Sequence, residues 1–125
     1  MTDSITFYRA ATVLLILCLF TVGSYPAAGQ AFPGNMHWLA HLSAYGLIAF
    51  VIGLGWQKMK PIHIAIIVGA IGFVHEVTEI VTHSHGFEST DVVVNALGAL
   101  IGAGILRKRG FIRFRHSREG GNPAK

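Results

Sequence analysis

"PIHIAIIVGAIGFVHEVTEIVTH", residues 61–83, decides how the chain is read. Its first fourteen residues are apolar except for His63. The whole stretch has the length a helix needs to cross a bilayer, roughly 17–25 residues. Pro61 suits the first turn of such a helix, where its missing N–H would have no partner anyway. The second part, "HEVTEIVTH", places glutamates and histidines where ionisable groups are expensive. The stretch therefore reads as a membrane helix carrying polar chemistry at one end. The rest of the chain has to supply what that chemistry meets.

The surrounding composition agrees. The chain has 125 residues, enough for one domain, and is 52% hydrophobic but only 13% charged. A soluble domain is about a quarter charged. Three further segments are long and apolar enough to span: about 7–25, 37–56 and 90–106. Tyr8 and Tyr25 bracket the first and Trp38 and Trp56 the second, which suits the aromatic belts of a bilayer. The single cysteine, Cys18, lies in an apolar run and cannot form an intrachain disulfide. "PAAGQAFPGN", residues 26–35, reads as an irregular connection. The expected fold is all-α, an integral membrane four-helix bundle over residues 1–106, followed by a disordered basic tail over 107–125. The first segment is read as a retained span rather than a signal peptide. Arg9 and the terminus, opposed by Asp3, make a weak charged region ahead of it.

The basic residues set the orientation. All ten lie at Arg9, in the loop with Lys58 and Lys60, or beyond Leu106. With four spans these regions share one side, so both termini are expected in the cytoplasm of a bacterial inner membrane. The same segregation argues against nucleic acid as a partner. The tail "RKRGFIRFRHSREGGNPAK" reads as a cytoplasmic anchor on anionic lipid.

On the opposite, outer side the polar residues fall into helical stripes. His37, His41 and Tyr45 stand at i, i+4 and i+8; His75, Glu79 and His83 do the same, with Glu76 on an adjacent line. Asp91 and Asn95 make a third stripe that continues into Gly98 and Gly102, a GxxxG pair that lets another helix come close. This side holds Glu76, Glu79, Glu88 and Asp91 and no lysine or arginine. The cations left to answer those acids are protonated histidine, a metal ion, or a cationic group on a ligand. Histidine changes charge near about pH 6.5, and His83, one turn from Glu79, is the expected partner for that acid.

"HEVTE" also approximates the metalloprotease H-E-x-x-H helix, with Glu79 in place of the second histidine. On that pattern a divalent metal would be held by His37, His75, Glu79 and His83, with Glu76 as general base. No nucleophile pattern accompanies it, and the balance is against an enzyme.

"HLSAYGLIAF" (41–50), the Glu76-x-x-Glu79 pair and "GFESTDVVVNALGALIGA" (86–103) resemble the VanZ-like family of small bacterial membrane proteins. His41, Tyr45, Glu76, Phe87, Asp91, Asn95, Gly98 and Gly102 match the pattern over about residues 37–104. The chain departs from it where the family has Asp-Lys, Gln and Arg and this chain has His37-Trp38, Glu79 and His85. Both family cations are thus missing. The resemblance implies a cell-envelope membrane protein with an accessory role like that in glycopeptide resistance. On it, His41, Tyr45, Glu76, Glu79, Asp91 and Asn95 would line an outer-facing pocket for a polar or amphiphilic ligand. The ligand would be an envelope lipid or a glycopeptide-like molecule. The alternatives are a structural or assembly subunit, joined to a membrane partner or a second copy through Gly98 and Gly102, and a metal-dependent intramembrane hydrolase.

Overall fold

The computed structural model describes residues 2–25, 27, 31, 34–83 and 86–119. Four long α-helices run through them: α1 Thr2–Gly23, α2 Asn35–Gly55, α3 Pro61–His83 and α4 Ser89–Glu119. No strand occurs among the described residues. Each helix is long and apolar enough to cross a membrane, over Asp3–Gly23, Asn35–Gly55, Pro61–Thr82 and Ser89–Leu106. This is the architecture of a multi-pass membrane protein.

Two boundaries differ from expectation. α1 begins at Thr2 rather than near Phe7, with Asp3 in its first turn, where an acid favours the positive end of the helix dipole. α4 does not end near Leu106 but continues as helix to Glu119. The tail expected to be disordered is helical that far, because extending an existing helix adds one hydrogen bond per residue fixed and avoids nucleation.

The packing is inside-out relative to a water-soluble bundle. Large apolar side chains such as Leu47, Ile66, Phe73, Val93 and Ile101 face outward, while His75, Glu76, Asp91 and Asn95 are buried. Lipid solvates the former and the protein must solvate the latter. At the other end, Ile48, Ala49, Ile52, Ile64, Val68 and Ala103 form an apolar core.

α2 and α4 make the most intimate pair. Contacts at the start of α2 meet the start of α4, so the two run parallel. A Cβ on Gly98 would run into the carbonyl of Leu42, and one on Gly102 into the carbonyl of Gly46. The close approach expected of Gly98 and Gly102 is therefore made within the chain. α2 covers the face that those two glycines present.

α1 is the peripheral helix. It packs mainly on α2, touches α3 sparsely, and buries little more than Thr12. Arg9 fixes one end: its Nε donates to the Gly55 carbonyl at 3.1 Å, and its guanidinium sits 5.3 Å from the centre of the Trp56 ring. A cation there satisfies an orphan carbonyl at the C-terminus of α2 and stacks on an aromatic face. Before α2, Gly34 holds φ at 62°, a left-handed turn that favours glycine.

The glycine contacts predict an ordered series. Gly102→Ala and Gly98→Ala force α4 off α2 and are expected to destabilise by about 1–3 kcal/mol each. Gly104→Ala meets nothing within 4 Å and is expected to be neutral or to gain up to about 1 kcal/mol of helix propensity. Thermal unfolding of the three variants, followed by circular dichroism, checks the order.

Candidate functional site

The polar residues converge where α2 and α4 begin and α3 ends. α2 contributes His37 and His41 one turn apart, with Tyr45 below them. Their neighbouring rings stand 4.4 Å (His37–His41) and 6.1 Å (His41–Tyr45) apart. α4 supplies one partner for each histidine. His37 Nε2 lies 3.0 Å from Asp91 Oδ2, and His41 Nδ1 lies 2.9 Å from Asn95 Oδ1. Both pairs span 54 residues, so successive turns of two parallel helices are matched in register. An amide oxygen only accepts, so His41 Nδ1–H is the donor in the second pair. Asp91 sits in the first turn of α4, where a carboxylate is favoured.

α3 supplies the rest and splits it between two sides. His75, 3% exposed, lies beside Glu79, with Nδ1 3.6 Å from Oε2, and its ring also packs against Phe20 of α1 at 5.2 Å. Glu76, fully buried, faces the other way. Its Oε1 accepts the Glu88 backbone N–H at 2.8 Å, which ties the end of α3 to the connection that starts α4. Glu76 Oε2, Asp91 Oδ1, Asn95 Nδ2 and the Tyr45 hydroxyl are buried with no hydrogen-bond partner among the described residues.

A cavity of about 230 Å³ opens beside this cluster, between α1, α2 and α3. Its polar wall is His37, His41, Tyr45, His75 and Glu79. Its apolar wall is Cys18, Leu19, Val22 and Gly23 of α1, with Ala40 and Ala44 of α2. Gly23 stands directly against the His75 ring, leaving no room there for a Cβ.

The expected ligand-binding residues therefore divide. His41, Tyr45 and Glu79 line the cavity; Glu76, Asp91 and Asn95 lie behind it, among α2, α3 and α4. Asp91 is 2% exposed and bonded to His37. Of the expected metal donors, His75 and Glu79 do approach each other, while Glu76, the expected general base, is turned from the cavity they line. The side chain of His83, expected beside Glu79, lies outside the described residues, as does all of His85. The closest donor group among the described residues is His37, His41 and Asp91, one ligand atom from each lying within 4.8 Å of the others. Sequence reasoning missed the α1 wall altogether. α1 is apolar on every side, so no stripe marks the face that lines a cavity.

No protein-family model, curated protein or solved structure matches the chain.

The hydrogen bonds that Asn95 and Glu76 accept predict different costs. Asn95→Leu keeps volume but leaves the His41 N–H without its acceptor, and should destabilise by about 1–3 kcal/mol. Glu76→Gln keeps an oxygen for the Glu88 N–H and should cost clearly less. Chemical unfolding of both variants in bilayer discs tests this, and an equal loss would show that Glu76 acts through its charge.

Proposed function

We propose that the chain is a VanZ-like protein of a bacterial cytoplasmic membrane, with both termini in the cytoplasm. It binds an amphiphilic cell-envelope ligand at its outer mouth. The observation that carries this reading is the two-faced cavity. Its α1 wall is apolar, and its α2–α3 wall sets imidazole, phenol and carboxylate groups beside two alanines. Ligand pockets of this kind combine apolar lining with a few converging polar groups. An acyl or prenyl chain fits against Leu19 and Val22, and a polar head meets His41, His75 and Glu79. The sparse packing of α1 on α3 gives such a ligand a lateral way in from the bilayer.

Orientation rests on the basic residues. Arg9, Lys58 and Lys60 share the end of the bundle away from the cluster, and Arg107 and the residues after it continue α4 past the same end. The positive-inside rule makes that end cytoplasmic. The cluster then faces outward, toward the envelope where the family resemblance places its role. The assembly-subunit reading loses its strongest feature once the glycine face is seen to be covered by α2.

Two measurements test the reading. Reporter fusions at Lys60 and at the C-terminus should read cytoplasmic, and one near Gly29 periplasmic. Lipid extracted from the protein purified in bilayer discs should contain one amphiphile in near-stoichiometric amount. Ala44→Trp, which fills the cavity, should reduce it at least about tenfold while the helical circular dichroism is retained, given the burial a small-molecule site needs. Undiminished lipid in Ala44→Trp would place the ligand elsewhere.

A further inference from the structure

The mouth also gathers a donor set that shares only His41 with the groups assigned to the ligand's polar head. His37, His41 and Asp91 each offer a ligand atom within 4.8 Å of the others, two from α2 and one from α4. His37 Nε2 and Asp91 Oδ2 are 3.0 Å apart. Two atoms bound to one zinc-sized ion at about 2.0–2.2 Å stand about 3.0–3.5 Å from each other, so that spacing already suits a shared ion. His41 is held by the arrangement that metal-binding histidines usually show. One ring nitrogen donates to an oxygen, here Asn95 Oδ1, and the other is left with its lone pair. Asn95 is fully buried, so this orientation is fixed from behind.

The charges point the same way. Asp91 is 2% exposed and its Oδ1 has no hydrogen-bond partner among the described residues. No lysine or arginine occurs between residues 10 and 57 or between 61 and 106. The nearest candidates for a counter-charge are the two imidazoles, whose centroids are only 4.4 Å apart. Two neutral imidazoles and a carboxylate around one divalent ion satisfy all three groups at once. The His37 side chain is 27% exposed, which leaves a path in from water.

We infer that His37, His41 and Asp91 form a binding site for a divalent first-row transition metal of the zinc type, with Asn95 as the group that positions His41. Nitrogen and oxygen donors in this ratio suit zinc, iron or cobalt rather than calcium or a soft copper(I) site. Three protein ligands leave a coordination position open. Because His37 and His41 also line the cavity, that position adjoins the space where a polar head would lie. The metal site stands on its own geometry and does not need the amphiphile reading.

The test uses the full-length protein in bilayer discs, stripped with a chelator and titrated with cobalt(II), then with zinc(II) in competition. One cobalt ion per chain is expected, with the visible absorption of a low-coordinate nitrogen–oxygen site. His37→Gln, at the half-exposed start of α2 where folding is least at risk, should weaken binding by at least tenfold. Asn95→Ala should weaken it about 10–100-fold through His41 alone. His63→Gln, exposed near the start of α3, should bind as the wild type does. The site is overturned if the stripped protein takes up neither ion at micromolar concentration. It is equally overturned if His37→Gln binds as tightly as wild type, which would put the ion at His75 and Glu79. Lipid retention without metal uptake would remove this inference and leave the amphiphile reading standing.

Discussion

The constraint from which the rest follows is that buried carboxylates and imidazoles must find partners inside the protein, because lipid offers none. α4 can meet it only by lying backbone against backbone on α2. Gly98 and Gly102 let the helix axes approach until Asp91 reaches His37 and Asn95 reaches His41. A side chain at either glycine would separate the pairs as well as the helices. The glycines below and the hydrogen bonds above are thus one device: the first sets the distance that the second requires.

Glu76 uses a different solution to the same problem. Instead of meeting another side chain it accepts a backbone N–H from the connection between α3 and α4. That bond occupies one of the donors that helix starts leave open, and it draws the acid away from the cavity. The apparent H-E-x-x-E metal motif is divided by this rotation. His75 and Glu79 face α1, and Glu76 faces α4.

The helices were legible in the sequence because a bilayer demands a long apolar run, and a long apolar run is visible without any knowledge of packing. The stripes of His37, His41 and Tyr45 and of Asp91, Asn95, Gly98 and Gly102 were legible as well, since each lies on one helix and helical spacing is local. What joins the stripes was not. Pairing His37 with Asp91 rather than with Glu79 depends on whether α2 and α4 are neighbours and parallel, and spacing along one helix carries no such information. The role of α1 was hidden for the opposite reason. Leu19 and Val22 look the same whether they face lipid or a cavity. The helical extension to Glu119 escaped notice because its composition resembles that of a polar tail, whereas its conformation continues from the span before it.

The loose seating of α1 has a consequence for the medium in which the protein is handled. α1 is tethered at the end where Arg9 meets Gly55, and little else in its length is buried. In a bilayer such a helix is confined to two dimensions and kept near upright, so a small docking energy is enough to hold it against α2. A micelle imposes no such confinement, and the same helix there has a far larger volume to explore. Leu19 and Val22 would leave with it, and the cavity would become an open groove exposing His41, His75 and Glu79. Bilayer thickness and lateral pressure therefore act on this protein as structural parameters, with as direct a hold on the shape of its mouth as any residue in it.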